Sequence, residues 1–244
     1  MCSVSWIYHD RGYDLFFNRD EQRSRPAALP PQLHKLGNLP VLAPVDPQSG
    51  GTWIYTNSAG VTVCLLNAYG EVHMPDGPLT SRGKLMLELA YGENFAQTNG
   101  NLRMALYSWD SSYAPFYLLI LDLEGNRDFS LWNGYHLSQP GFPRTPFHST
   151  SSYESRKVLL SRRKHAREAI KQNGYTPDTL RQLHLAPGQP ADASTIKMSR
   201  EDAKTVSFTQ VTVTQSGTQM HYAPRPDDQD FQNSQSWSLG FSRS

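Results

Sequence analysis

The 244-residue sequence predicts an α+β fold built mainly from antiparallel strands, and two observations carry that prediction. Apolar, β-rich segments come in pairs around short turns, as hairpins do. Helical patterns fall in separate groups instead of alternating with single strands, which argues against a parallel βαβ succession. No internal repeat is present.

The elements follow in order. Residues 3–8 (SVSWIY) and 13–17 (YDLFF) flank His9-Asp10-Arg11-Gly12, a glycine-closed turn, and read as a hairpin. RSRPAALPP (23–31) is expected to be an extended linker, because its prolines exclude a helix. A second hairpin joins GTWIYT (51–56) to VTVCLL (61–66) through Asn57-Ser58-Ala59-Gly60. SRGKLMLELAY (81–91) reads as a short helix with Ser81 as N-cap. FYLLILD (116–122) is a buried strand returning through EGNR into DFSLW (128–132). Residues 153–172 carry the strongest helical pattern, stopped by Asn173-Gly174, and a shorter helix at 177–184 starts from a Thr176 cap. After a loop at 187–194 comes the longest strand pair, 203–214 and 218–223, across Gln215-Ser216-Gly217. One domain over 1–224 is expected, followed by a polar tail at 225–244 that is mobile or loosely docked.

Composition narrows the function classes. With 23 basic and 22 acidic residues, the net charge of +1 gives no field to attract nucleic acid or an anionic membrane. The cationic run Arg156, Lys157, Arg162, Arg163, Lys164, Arg167 and Lys171 lacks interleaved aromatic residues and reads as a solvated helix face. No apolar run is long enough to span a bilayer, and charges at Asp10, Arg11 and Asp14 interrupt any signal-peptide core. Two cysteines, Cys2 and Cys64, are too few for a disulfide framework, so a cytoplasmic location is the default. The eight histidines form no zinc motif. His9, His148, His221 or a Cys2 thiolate are each candidates for a haem iron ligand, with an ordinary structural role the simpler reading of any one.

The opening hairpin carries the chemistry. A turn at Asp10-Arg11 pairs positions whose numbers sum to about 21, so Cys2 lies opposite Arg19, with Asn18, Asp20 and Glu21 as neighbours. If Met1 is removed, Cys2 carries a thiol and a free α-amine whose reference pKa of about 8 suits it as base for its own side chain. Arg19 would favour the thiolate, and Asp20 or Glu21 would hold the cation. The alternative is an incidental cysteine beside an exposed strand end. Gly50-Gly51 allows close backbone approach and sets Trp53 beside the hairpin, as a pocket wall or as an ordinary core residue. Arg25 either anchors a ligand carboxylate at the rim or is simply solvated.

The segments MCSVSW, FFNRDEQRSRP, SGGTWIYTNSAG, SRGKL, APFYLLILD, HSTSSYESRK and MSREDAKTVSFTQV follow one another as in the NRDE family. That family, also called the transport and Golgi organisation protein 2 (Tango-2) family, resembles this chain from residue 1 to about 214. It is similar in turn to N-terminal-nucleophile hydrolases of the penicillin V acylase and bile salt hydrolase type. The resemblance implies a four-layer αββα sandwich of two antiparallel sheets, with a cleft where Cys2, the 18–21 cluster, Trp53 and Asn67 meet.

Asn67 falls where those hydrolases place an oxyanion donor, worth ~3 kcal/mol, or else it ends the second hairpin. Their later asparagine is replaced by Ser149-Thr150-Ser151-Ser152, which makes Ser151 a candidate donor. Their arginine and aspartate are separated by two residues, whereas Arg19 and Asp20 are adjacent. Family members are associated with haem mobilisation and with acyl-CoA and lipid homeostasis. The implied function is intracellular binding and trafficking of haem or a similar hydrophobic carboxylate, countered by Arg19 or Arg25, with haem donor or acceptor proteins as partners. The alternatives are an amide hydrolase with Cys2 as nucleophile, and acyl-CoA or lipid binding.

Overall fold

The computed structural model describes residues 1–70, 72–109, 112–188, 191–227 and 230–241. The chain runs β1 (Cys2–His9), β2 (Gly12–Gln22), β3 (Leu29–Leu36), β4 (Leu39–Val45), β5 (Ile54–Asn57) and β6 (Thr62–Asn67). Helices α1 (Arg82–Leu89) and α2 (Phe95–Leu106) precede β7 (Phe116–Leu121), β8 (Arg127–Trp132), β9 (Leu137–Ser138) and β10 (Phe147–Thr150). Then come α3 (Ser155–Asn173), α4 (Pro177–Leu185), β11 (Ala203–Thr214), β12 (Gly217–Pro224) and β13 (Gln235–Leu239).

Among the described residues these strands form two antiparallel sheets, ordered β10-β1-β2-β11-β12-β13 and β3-β4-β5-β6-β7-β8-β9. Strand alternation then builds four layers. Val4 and Trp6 of β1 and Tyr13, Leu15 and Phe17 of β2 face Cys64, Leu66, Leu119 and Leu121 of the other sheet. Intervening residues Ile7 and Phe16 turn outward under α4. Val63, Leu65, Leu118 and Ile120 face α1 and α2 on the opposite side. The order is therefore helices, sheet, sheet, helices, as the αββα expectation has it. No helix among the described residues is long and apolar enough to cross a membrane.

Several elements depart from the expectation for physical reasons. The region read as a linker enters β3 at Leu29, an edge strand whose register slips between Leu29 and Gln32. Pro30 and Pro31 sit at that slip, where a missing N–H costs no ladder bond. Helix α2 has no strong sequence pattern and contains Gly100, yet Thr98, Leu102 and Leu106 make one buried stripe. The Asn94 side chain accepts from Gln97 N to cap it. Within the expected tail, residues 235–239 form β13 and pair with β12.

Helix α3 starts at Ser155 and is stopped by Gly174 at φ 83°, and Thr176 caps α4 by accepting from Thr179 N. Its cationic run is not wholly solvated. Val158, Arg162 and Ala166 lie four residues apart and face inward, leaving Arg162 fully buried.

Two histidines are also enclosed by this packing. His184 bonds through Nε2 to Ser5 Oγ at 2.9 Å and stacks near Phe16. His148 lies 4.4 Å from the Tyr117 ring and 5.0 Å from Phe129, and neither of its ring nitrogens has a hydrogen-bond partner among the described residues. Burial holds each imidazole down to a pKa of about 3, with the charge of Arg162 adding for His184 and Arg163 for His148. The unfolded chain takes up these protons near pH 6.5, and the folded one only near 3. Stability is therefore expected to fall with pH through that window, by about 1.4 kcal/mol per histidine per pH unit. Urea unfolding at stepped pH checks this: His148→Phe should roughly halve the slope, and a flat profile from pH 6.5 to 4 contradicts it.

Candidate ligand-binding cleft at the end of the first hairpin

The turn at Asp10-Arg11 sets the β1–β2 register, and Cys2 pairs directly with Arg19, Ser3 with Asn18. Alternation then divides the four residues at 18–21 between the two faces of β2. Arg19 and Glu21 turn toward the inter-sheet side, while Asn18 and Asp20 turn under the outer helices.

On the helix side, Asn18 is fully buried, and its amide donates to the carbonyls of His184 and Ile196 at 3.0 and 3.3 Å. The Asp20 carboxylate accepts from Thr205 Oγ1 at 2.6 Å and from Arg162 Nη1 at 3.2 Å. Arg162 Nη1 also donates to Ser149 Oγ and Ser3 Oγ, and its Nε donates to Ala193 O. One buried guanidinium thus ties α3, β1, β2 and β10 together. Sequence reading missed it; the signal was its four-residue spacing from Val158 and Ala166.

On the other side lies a cleft of about 340 Å³, with Cys2, Arg19, Glu21, Arg25, Trp53 and Asn67 among its lining residues. The Arg19 guanidinium sits 4.1 Å over the Trp53 ring and donates to Asp46 Oδ2. Arg25 Nε reaches the same oxygen at 2.7 Å, and Glu21 lies more loosely, 3.4 Å from Arg19 and 3.5 Å from Arg25. Asp46 was not foreseen. It is fixed because its other oxygen accepts from the amides of Gln48 and Ser49, each at 3.0 Å. Burial raises the Asp46 carboxyl, but Arg25, Ser49 and Arg19 outweigh burial and leave it below the ordinary value.

The close backbone approach expected at Gly50-Gly51 is present. A Cβ on Gly51 would fall 2.3 Å from the Gly83 carbonyl carbon, so only glycine lets the Trp53 loop meet α1.

Cys2 is buried, and burial raises its thiol above the usual value. The N-terminal amine and Arg19 oppose this shift, and Asp20 adds to it. The expected thiolate is thus not the resting form with Met1 in place. The Met1 amine donates to Asp20 O at 3.2 Å and to the Tyr69 hydroxyl at 3.4 Å, and Asn67 Nδ2 donates to that same hydroxyl at 3.2 Å. Ser151 lies one residue behind the cleft wall: its hydroxyl donates to Tyr153 O at 2.7 Å, accepts from Tyr153 N and lies 3.4 Å from the sulfur of Met1, which lines the cleft. The candidate iron ligands His9, His148 and His221 also lie away from the cleft lining, which leaves Cys2 alone of the four on it.

The two faces predict opposite mutational responses. Arg162→Met should cost about 3–5 kcal/mol, because Asp20 is left buried and unpaired. Asn18→Ala should cost about 1–3 kcal/mol through two stranded carbonyls. Arg25→Gln, at a partly solvated ion pair, should cost under about 1 kcal/mol. Urea denaturation of the three variants checks the order, and an Arg25→Gln loss equal to that of Arg162→Met contradicts it.

A family model described as Transport and Golgi organisation 2 matches residues 1–223. No curated protein matches the sequence. Among solved structures, a conjugated bile acid hydrolase from Clostridium perfringens superposes with a TM-score of 0.58 at 10% identity, over 98% of this chain and 92% of that one. An N-acylethanolamine-hydrolyzing acid amidase ortholog from Caenorhabditis elegans gives 0.51 at 10% identity, over 98% and 100%. Penicillin V acylase from Agrobacterium tumefaciens gives 0.50 at 11%, over 92% and 83%. At such identities the likeness shows a shared fold.

Proposed function

The chain belongs to the Transport and Golgi organisation 2 family, and from that premise we propose that its cleft binds and hands on a hydrophobic ligand bearing a carboxylate. Haem is the candidate suggested by the sequence resemblance, with a donor or acceptor protein as partner, in the cytoplasm, where Cys2 and Cys64 remain thiols. The observation that supports this reading is the pairing of Arg19 and Arg25 on one fixed carboxylate, Asp46, beside the flat face of Trp53. Two guanidiniums share Asp46 with only a loosely held Glu21, so an incoming carboxylate can take a guanidinium position without stranding a charge. The cleft lies at the small end of ligand sites, which run from roughly 300 Å³. A porphyrin would place its carboxylate edge inside and leave much of the ring at the mouth. Acyl-CoA or another lipid carboxylate fits the same description.

Cleavage of an amide C–N bond is the second reading, favoured by the Cys2 thiol on the cleft wall and by the activities named for the structural relatives. It needs Met1 to be removed, so that the freed amine takes the thiol proton. Sγ would then attack the amide carbon, the amine product would leave with a proton, and water would release the acyl group from the thioester. Asn67, on the cleft lining, is the side chain that this reading assigns to steady the oxyanion.

Titration with haem separates the readings. Binding predicts a Soret shift at micromolar haem that Arg25→Gln weakens at least fivefold with little change in unfolding midpoint. No Soret change sinks the haem form. Intact mass of the purified protein adds the second arm: retained Met1 rules out amine-assisted cleavage. Removal of Met1 together with amine release from a conjugated bile salt, lost in Cys2→Ala, establishes it.

A further inference from the structure

A second cavity, of about 440 Å³, opens on the far side of Arg19, Glu21 and Arg25, which line both spaces. Its remaining walls combine apolar surface from Pro26, Ala28, Val206, Tyr222, Pro224 and Pro226 with Gln22 and the stems of Arg23, Lys204 and Arg225. The charged ends of those three donate to backbone carbonyls of Arg200, Pro226 and Met198. Two features build it. The β2–β11 register shifts between Thr205 and Ser207, so Val206 is the extra residue of a bulge opposite Arg19 and Asp20. Bulges of this kind bend a strand and re-aim one side chain. The Val206 carbonyl is then claimed by Arg225 N at 2.8 Å, which draws the end of β12 across the opening. Ala28 packs against the inter-sheet core, and Tyr222 belongs to it, so the floor of the cavity is continuous with that core.

We propose that this chamber holds the apolar body of an anionic amphiphile whose charged end lies at Arg19 and Arg25 on the side of Cys2. The inference rests on the carboxylate-binding reading of the cleft and extends it to a two-part site. The partition is suited to the junction of such a ligand. Glu21 contacts both guanidiniums only at 3.4–3.5 Å, is partly solvated and accepts from the single amide of its neighbour Gln22 at 2.9 Å, whereas Asp46 meets Arg25 at 2.7 Å and accepts from two backbone amides. A ligand carboxylate displaces Glu21 into solvent, keeps the charge balance, and leaves Asp46 to fix the arginines. The body of the ligand then meets prolines, alanine, valine and the tyrosine ring, where burial is rewarded per unit of apolar area.

The test uses the full-length protein and straight-chain carboxylates as graded probes: butanoate, hexanoate, octanoate and decanoate. Binding is followed by isothermal titration calorimetry, with ligand-observed NMR for the weakest. For the wild type, affinity should rise roughly threefold to fourfold per methylene until the chamber is full. Ala28→Trp, which fills the chamber, should leave butanoate affinity unchanged and remove the rise. Ala27 lines the same chamber from an exposed position, so Ala27→Trp is the companion variant that folds if Ala28→Trp does not. If the rise persists in the variants, the apolar body lies elsewhere, and the chamber inference falls while the cleft reading stands. If carboxylates bind the wild type with no dependence on length, the inference falls in the same way. If no carboxylate binds the wild type, the cleft reading falls and takes the chamber with it.

Discussion

Helix α3 carries Arg162 out of water entirely, and a buried guanidinium is tolerated only where a carboxylate and further acceptors meet it. Asp20 supplies the charge, and Ser3, Ser149 and the Ala193 carbonyl accept from the same guanidinium through Nη1 and Nε. Because Asp20 must face α3, the pleat turns its neighbours Arg19 and Glu21 to the other side. The direction of every cleft-facing side chain on β2 follows from that single pairing. Asp20 already contributes to the cleft lining, and a one-residue slip of β2 would turn its carboxylate into the cleft and Arg19 under the helix, leaving Arg162 uncompensated.

The division explains how four adjacent polar residues sit at the end of a buried strand. They are not one site. Asn18 and Asp20 meet the needs of the outer layer, closing carbonyls of the 184–196 segment and the charge of α3. Arg19 and Glu21 meet Asp46, Arg25 and Trp53, which arrive from the other sheet and from the loop after β2. Between them the two pairs join three of the four layers at one end of the sandwich, where both cavities open.

Much of this was legible in the sequence. The turn residues at 9–12 set the Cys2–Arg19 pairing, because hairpin register follows from the loop alone. The pairing at 203–224 and the caps at Thr176 and Gly174 were equally local signals. What stayed hidden depends on distant partners. Helix α2 is held by burying Leu102 and Leu106 rather than by propensity, and β3 survives two prolines because it is an edge. Arg162 read as one more surface cation, since nothing in its own segment announces a carboxylate 142 residues away. Asp46 was invisible for the same reason, and Ser151 was drawn to the site by analogy whereas its hydroxyl bonds to Tyr153 and sits behind the Met1 side chain.

The chemistry follows from which groups are left to face a ligand. Burial favours the neutral thiol at Cys2 and the arginines are pre-arranged on Asp46; the proposed binding of an anion rests on that arrangement. The direct test of that division is arginine side-chain NMR, following the Nε–H signals during titration with zinc protoporphyrin as a diamagnetic stand-in for haem. The account predicts that the Arg19 and Arg25 signals shift while the Arg162 signal stays fixed. Movement of Arg162 with Arg19 unmoved would contradict it.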